Sequence, residues 1–250
     1  MIKKCGYQRS KFENNMPFSS NKTAFVSRVF DSVAKKYDLM NDLMSFGIHR
    51  SWKNTLVSML GQKPSTSLVD IGGGTGDIAF RFLNEGGKEV KIVDNNYNML
   101  DCGRDRSNSS MYKNKIVWIN GNAEELPLAS YSADALTTSF CLRNVSNIKA
   151  ALNEACRVLK PGGRFFCLEF SQVTTPILDK MYNTYSSSMI PWLGDLITQD
   201  RKSYQYLVDS IQDFPAQEHF SNLIREAGFV QVKYRNLSGG VAAIHSAWRV

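Results

Sequence analysis

The sequence has no long run of apolar residues and only three histidines among its 250 residues. No uninterrupted apolar stretch approaches the roughly 20 residues that a membrane-spanning helix needs, so we expect a protein that is soluble or lies on a membrane face. The five cysteines form no Cys-x-x-Cys pair, and no histidine stands at a metal-binding spacing from them. Their number is also odd, so we expect a reducing compartment and no metal site.

Runs of basic residues interleaved with aromatics are also lacking, although the net charge is +7. Nucleic acid is therefore not expected as a partner. The first 24 residues carry five basic side chains and one acid, without an apolar core, which argues against a secretory signal. We expect residues 1–24 to form a disordered basic arm, with a remnant of an organelle transit peptide as the alternative.

The rest of the chain, 25–250, has the length of one α/β domain. Helical spacing of apolar residues predicts two helices before the first strand, over 26–37 and 48–60. Short β-rich runs then alternate with helical patterns, and this alternation predicts a doubly wound, mostly parallel sheet. The predicted strands are 67–71, 90–94, 116–119, 133–140 and 164–170, and the predicted helices between them are 78–83, 98–106 and 148–159.

The pattern changes after the fifth predicted strand. Residues 176–214 are rich in Tyr, Met, Ser and Trp, and we interpret them as an inserted helical lid. A helix over 217–227 and two strands, 230–236 and 241–250, complete a seven-stranded, Rossmann-like α/β fold.

The turn after the first predicted strand is rich in glycine. Gly72, Gly74 and Gly76 precede an apolar helix, where missing side chains let the backbone approach a ligand and present N–H groups. Asp77 stands where the dinucleotide-binding pattern Gly-x-Gly-x-x-Gly has its third glycine. This substitution argues against a nicotinamide cofactor, and a plain tight turn is the alternative.

Two acids lie at strand ends near this turn. Asp94 closes the second predicted strand 18 residues after Gly76, where a carboxylate can accept hydrogen bonds from both hydroxyls of a ribose. Asp70 is placed to accept from the ammonium group of an amino-acid moiety, with a local turn-capping role as the alternative. After the third strand, the Asn122 amide and the N–H of Ala123 are placed to read the edge of adenine; alone, this segment looks like an ordinary loop.

Several longer motifs surround these positions. They are VFDSVAKKYD (29–38), MND (40–42), GIHRSWK (47–53), GGTGD (73–77), SFCLRNV (139–145), RVLKPGG (157–163), LEFS (168–171), SYQYL (203–207), SI (210–211) and matching stretches between 227 and 245. Through them the sequence resembles the ubiquinone/menaquinone biosynthesis C-methyltransferases, which are class I methyltransferases. The resemblance covers nearly everything after residue 25.

The resemblance implies S-adenosylmethionine as the cofactor. It assigns cofactor contacts to Thr75, Asp94, Asn122, Ala123 and Ser139. The substrate it implies is a polyprenylated benzoquinol of the 2-methoxy-6-polyprenyl-1,4-benzoquinol type, or demethylmenaquinol, methylated at a ring carbon.

The sequence departs from the family pattern in two places. Cys141 stands where the family usually has glycine, which is expected to narrow the substrate entrance. Residues 128–131 replace a stretch rich in Pro and Phe, which affects loop detail only.

Carbon methylation requires a nucleophilic ring carbon, and loss of a phenolic proton from the quinol places electron density there. Candidate catalytic residues are Arg143 and Asn144, beyond the fourth strand, and Tyr37 on the amino-terminal helix. Arginine does not lose its proton at neutral pH, so Arg143 is expected to orient a basic water and to stabilise a phenolate. A structural ion pair for Arg143 and helix packing for Tyr37 are the alternatives.

Other side chains are weaker candidates. His49 and His245 rank second as bases because a lone histidine more often has a structural role, and His219 is set aside. Apolar residues between Met181 and Leu196 would form a wall for an isoprenoid tail, with ordinary helix packing as the alternative.

Three functions remain open from the sequence. The first is quinol C-methylation, the second is O- or N-methylation of another small molecule, and the third is a non-catalytic cofactor-binding scaffold in a quinone-synthesis assembly. A nucleic-acid methyltransferase is disfavoured because Ser139–Asn144 lacks the Pro-Pro-aromatic motif. Expected partners are the quinol, a membrane surface, and a second copy or a quinone-synthesis complex. The expected location is the cytoplasm, with peripheral attachment to the inner membrane. The mitochondrial matrix is expected instead if the arm is a remnant of a transit peptide.

Overall fold

The computed structural model describes residues 42, 45, 47–61, 66–173 and 201–250. The predicted arm, the helix over 26–37 with Tyr37, and residues 176–200 of the predicted lid lie outside the described residues, as does the segment from Met181 to Leu196.

Strands and helices alternate along most of the described chain. Asparagine side chains cap two of the helices: Asn96 accepts the N–H of Met99 at 2.9 Å, and Asn147 accepts that of Ala150 at 3.1 Å. The helices are α1 (His49–Leu60), α2 (Asp77–Asn84), α3 (Tyr97–Asn108), α4 (Ile148–Val158), α5 (Arg201–Asp213) and α6 (Gln217–Glu226). The strands are β1 (Ser67–Ile71), β2 (Glu89–Asp94), β3 (Ile116–Asn120), β4 (Ala133–Ser139), β5 (Leu159–Phe170), β6 (Val230–Leu237) and β7 (Ala242–Trp248).

These strands form one seven-stranded sheet in the order β3-β2-β1-β4-β5-β7-β6. The first five strands pair in parallel, and β7 runs antiparallel to both β5 and β6. The predicted Rossmann-like, mostly parallel architecture is therefore confirmed. Strand order reverses between β1 and β4, and in open α/β sheets such a reversal opens a crevice at the carboxyl ends of the strands.

Helices cover both faces of the sheet. Trp52 and Leu56 of α1 pack on one face, whereas Leu152 of α4 and Phe220 of α6 pack on the other. Consequently Leu68, Val69, Asp70 and Ile71 of β1 are all buried, as expected for a central parallel strand. No helix in the described part of the chain is both long and apolar enough to cross a membrane.

The fifth strand starts earlier than predicted. It begins at Leu159, five residues before the predicted start at Arg164, and the Lys160–Gly163 turn lies inside it. The backbone N–H of Gly162 donates to the carbonyl of Arg249, and the N–H of Arg249 donates to the carbonyl of Gly163. These bonds continue the ladder through the turn, and a register shift against β4 takes up the extra residues.

Candidate active site

A cavity of about 310 Å³ lies at the carboxyl ends of β1, β2 and β4. It includes most of the predicted site residues that the structure describes. Those that line it are Asp70, Gly72, Gly74, Thr75, Asp94, Asn122, Ala123, Ser139 and Asn144. Of the remaining predicted residues, Gly76 and Arg143 are not among its lining residues, and Tyr37 lies outside the described residues.

The glycine turn forms the floor of the cavity. Gly72 and Gly74 have φ values of 64° and 52°, which side-chain-bearing residues rarely adopt. A Cβ atom on Gly72 would lie 2.2 Å from Cys141 Sγ, and one on Gly74 would lie 2.9 Å from Met99 Cε. Gly76 instead precedes α2, where an added Cβ would meet Trp118. All three positions therefore need glycine for close packing, and Gly72 and Gly74 also line the cavity.

Asp70 brings a buried carboxylate to the cavity from inside the sheet. Its Oδ1 accepts a hydrogen bond from Thr137 Oγ1 at 2.7 Å, and its Oδ2 has no hydrogen-bond partner among the residues that the structure describes. Burial, with a smaller contribution from the charge of Asp94, raises the pKa of Asp70 to about 7, although the hydrogen bond from Thr137 lowers it in part. The side chain is thus prepared for a cationic partner that would stabilise its ionised form.

Asp94 holds the adjoining loops and also faces the cavity. Its Oδ2 accepts the N–H of Gly74 at 2.9 Å and its Oδ1 accepts that of Asn96 at 2.8 Å. Burial raises the pKa of Asp94, and these backbone N–H groups lower it in part. The two backbone hydrogen bonds fix the orientation of the Asp94 carboxylate before any ligand arrives. Each carboxylate oxygen can still accept a further hydrogen bond, from a ligand hydroxyl.

Lys53 and Asp77, neither of which the sequence assigned to the site, form a wall of the cavity. Lys53 of α1 is only 4% exposed, and its Nζ lies 2.9 Å from Asp77 Oδ2. Arg81 Nε donates to the other carboxylate oxygen of Asp77 at 3.0 Å. Burial alone would raise the pKa of Asp77, but the charges of Lys53 and Arg81 lower it. Asp77, noted in the sequence only as a missing glycine, therefore stays ionised.

The loop after β3 closes another side of the cavity. Asn122 Oδ1 accepts the N–H of Glu124 at 3.0 Å, and Glu124 Oε1 accepts the N–H of Ser146 at 2.7 Å. Ala123 is buried between them. These bonds join the predicted adenine loop to the segment that follows β4, so both loops are positioned together.

The end of β4 is strained where it meets the cavity. Phe140 has a φ of 56°, in the left-handed region, and its N–H donates to the carbonyl of Leu168 at 2.9 Å. Such strain is common at functional sites. The Oγ of Ser139 is buried with no hydrogen-bond partner in the described part of the chain. Cys141 packs against Gly72, and burial raises the pKa of its thiol well above the ordinary value, so it occupies space as a neutral group.

Arg143 and Asn144, the neighbouring candidates, have different surroundings. Asn144 Nδ2 donates to the carbonyl of Phe140 at 3.4 Å, and its Oδ1 accepts from Tyr206 Oη at 3.2 Å. The Arg143 side chain is fully buried and pairs with Glu169 at 2.9 Å. Burial raises the pKa of Glu169, and Arg143 lowers it in part. The ion pair considered from the sequence is thus present, with its partner identified, while Asn144 alone of the two faces the cavity.

The histidines occupy structural positions. His49 is buried, and its Nε2 lies 2.9 Å from Asp42 Oδ1. His245 Nε2 lies 3.0 Å from the carbonyl of Gln217, and burial lowers the pKa of this histidine to about 4. His219 lies on α6 and is exposed. None of these three side chains lines the cavity.

The cavity suits the cofactor that the resemblance implies. Asp70 Oδ2 and Ser139 Oγ are buried with no hydrogen-bond partner among the described residues, and a Cβ on Gly72 or Gly74 would collide with the cavity-lining side chains of Cys141 and Met99. Among the charged residues that line the cavity, the acids Asp70, Asp77, Asp94 and Glu124 outnumber the single base, Lys53. S-adenosylmethionine, which carries a sulfonium and an ammonium against one carboxylate, has the complementary charge.

Comparison with known proteins gives matches over nearly the whole chain. A family model described as the ubiE/COQ5 methyltransferase family matches residues 18–249. The "Ubiquinone/menaquinone biosynthesis C-methyltransferase UbiE" of Cereibacter sphaeroides is 50% identical, covering 92% of this chain and 92% of the relative. The "2-methoxy-6-polyprenyl-1,4-benzoquinol methylase, mitochondrial" of Bos taurus is 46% identical, covering 90% of this chain and 79% of the relative.

Solved structures share the fold at low sequence identity. A SAM-dependent methyltransferase of Thermotoga maritima aligns with a TM-score of 0.64 and 20% identity, covering 90% of this chain and 100% of that one. Geranyl diphosphate C-methyltransferase of Streptomyces coelicolor aligns with a TM-score of 0.59 and 15% identity, covering 83% of this chain and 84% of that one. These likenesses establish the class I methyltransferase fold.

Proposed function

The chain belongs to the ubiE/COQ5 methyltransferase family, and we propose that it methylates a ring carbon of a polyprenylated benzoquinol or of demethylmenaquinol. The observation that carries the proposal is the cavity in which the buried acids of the glycine turn lie beside Asn144. S-adenosylmethionine supplies, when bound, an already activated methyl group, so the protein's main tasks are to orient the acceptor and manage its proton.

The glycine-turn side of the cavity would hold the cofactor. We assign the cofactor's ammonium group to Asp70, because the carboxylate is buried and its Oδ2 faces no described partner. Its ribose is assigned to Asp94, whose carboxylate is already oriented by two backbone N–H groups. Asn122 and Ala123 would bind the adenine, and Ser139, Thr75 and the glycines would complete the contact surface.

The part of the cavity that Asn144 lines would hold the ring of the quinol. Asn144 supports this assignment because two hydrogen bonds fix its amide where it lines the cavity. A fixed amide can hold a phenolic oxygen, or the water that takes its proton, in one orientation. Tyr37 remains a predicted catalytic residue outside the described residues.

Arg143 fits a positioning role better than direct contact. Its guanidinium pairs with Glu169 and lies 5.7 Å from the ring centre of Phe140. It thereby supports the strained backbone that carries Asn144. Its positive charge would also favour a developing phenolate nearby, although the Glu169 pairing reduces that effect.

A polyprenyl substrate would bring the protein to a membrane surface, and the net charge of +7 would favour an anionic one. We expect peripheral binding to anionic vesicles at low salt, with release as salt is added. Failure to co-sediment with such vesicles would contradict peripheral membrane binding. The homodimer or quinone-synthesis complex, and the cytoplasmic or mitochondrial location, remain predictions.

The function is tested by supplying the purified chain with methyl-labelled S-adenosylmethionine and each quinol in turn. We expect label in one or both quinols and a marked loss of turnover in Asn144→Ala with unchanged cofactor affinity. Cofactor binding without transfer to either quinol would instead support a scaffold. Transfer only to an unrelated small molecule would support the O- or N-methyltransferase alternative.

A further inference from the structure

Lys53 has no role in the assignments of the cofactor site made so far. We propose that its ammonium group binds the carboxylate of the cofactor's amino-acid moiety. The inference rests on the proposed use of S-adenosylmethionine and adds the residue that recognises one end of it.

The location of Lys53 is unusual for a lysine. It follows Trp52 on the buried side of α1, and the residue is 4% exposed, yet it lines the cavity. Burying an ammonium group costs several kcal/mol unless anions surround it. A buried lysine at the wall of the cofactor cavity therefore indicates an anionic group on the ligand, provided that no carboxylate of the protein fully neutralises its charge.

Asp77 does not fully neutralise the charge of Lys53, because a second cation also pairs with this carboxylate. Lys53 Nζ lies 2.9 Å from Asp77 Oδ2, while Arg81 contacts both carboxylate oxygens, Oδ1 at 3.0 Å and Oδ2 at 3.4 Å. Two positive side chains thus share one negative one. This wall of the cavity has a surplus positive charge, and Lys53 rather than Arg81 lines the cavity.

Asp70 lies close enough to Lys53 to form the other half of a zwitterion site. The charge of Lys53 acts on the Asp70 carboxylate, and both side chains line the same cavity. An α-amino acid carries its ammonium and its carboxylate on one carbon atom. A buried acid and a buried lysine near each other match that pair of charges, with Asp70 facing the ammonium group and Lys53 the carboxylate.

The test compares two ligands that differ only in the carboxylate: S-adenosylhomocysteine and its decarboxylated analogue. Calorimetry on the wild-type chain should give tighter binding of S-adenosylhomocysteine by about tenfold or more, as expected for a charge-assisted hydrogen bond. Equal affinities would overturn the proposal, and this comparison needs no variant. Failure of both ligands to bind would contradict the use of S-adenosylmethionine itself, and the proposal with it.

Variants separate ligand binding from simple neutralisation of Asp77. Lys53→Met, with Lys53→Gln as the milder second variant, should weaken binding of S-adenosylhomocysteine about tenfold to a hundredfold. Binding of the decarboxylated analogue should change little. Equal weakening of both ligands would show that Lys53 serves only Asp77, and would overturn the proposal. Lys160→Met is the matched control, because Lys160 pairs with Asp134 at 2.7 Å on an exposed surface; it should change neither affinity.

Discussion

Replacement of Asp70 by asparagine should stabilise the ligand-free protein and weaken cofactor binding. Burial raises the pKa of Asp70 to about 7 from an ordinary 3.8, so ionisation is harder in the folded state than in the unfolded chain. The stability that this group contributes is complete below its unfolded pKa and is lost as the pH rises through the folded pKa. The asparagine side chain would carry no such charge, and it keeps an oxygen that can accept from Thr137.

The size of the effect follows from the pH interval. Between about pH 5 and pH 7 the carboxyl group of Asp70 is ionised in the unfolded chain and largely protonated in the folded one. Each pH unit in this interval lowers the free energy of unfolding by about 1.4 kcal/mol. The free energy of unfolding of the wild type should therefore fall relative to Asp70→Asn by about 3 kcal/mol between about pH 5 and pH 8. The same substitution should weaken S-adenosylhomocysteine binding by about tenfold or more, because the ammonium group loses a charged acceptor.

Urea unfolding of both proteins across this pH range, without ligand, measures the difference directly. Asp134→Asn is the control, since Asp134 also accepts a hydrogen bond from a hydroxyl, that of Ser67 at 3.0 Å, but outside the cavity. Burial would raise the pKa of Asp134, but Lys160 and Ser67 lower it overall, so its removal should give no gain at high pH. A difference in the free energy of unfolding between wild type and Asp70→Asn that stays constant at all pH values would contradict a raised pKa of Asp70 in the folded protein.

Three further substitutions, one of them with a matched control, examine other parts of the site. Asp94→Ala should weaken cofactor binding by about 1–3 kcal/mol through lost charge-assisted hydrogen bonds; unchanged affinity by calorimetry would remove the ribose assignment. Tyr206→Phe deletes the hydroxyl that holds the Asn144 amide and should lower kcat several-fold with cofactor affinity retained. Tyr112→Phe, which deletes a similar bond to an asparagine on an exposed surface, should leave kcat unchanged, and equal effects would contradict a positioning role. Arg143→Ala leaves Glu169 buried without its cation and should lower the free energy of unfolding by about 3–5 kcal/mol, measured by urea unfolding; a loss of turnover at full stability would instead favour direct catalysis by Arg143.

Much of the fold could be predicted because local pattern and topology agree. The alternation of β-rich runs with helical spacing locates the described strands and helices within two residues, apart from the start of β5 and apart from α5, which was predicted only as part of the lid over 176–214. The start of β5 depends on hydrogen bonds with Arg249, far away in the chain. The local sequence predicts a Pro-Gly-Gly turn there. It does not indicate the hydrogen bonds of the β-ladder that continue through this turn.

The site was predictable where its residues follow strands. Asp70 and Asp94 end neighbouring parallel strands, so topology brings them to the same edge. Lys53 and Glu169 were missed because each is a charged residue within an apolar element, where the expectation is exposure or an ordinary ion pair. The sequence did show each of them as a charged residue among apolar ones, but the partner of each comes from another part of the chain.

The position of the transferred methyl group decides whether this chain is a C-methyltransferase. The wild-type chain is incubated with S-adenosylmethionine carrying a ¹³C methyl group and the quinol that accepts label, and the product is examined by NMR. We expect a methyl group bonded to a ring carbon, with none on the phenolic oxygens. Label found on oxygen, with the ring carbon still bearing hydrogen, would contradict it.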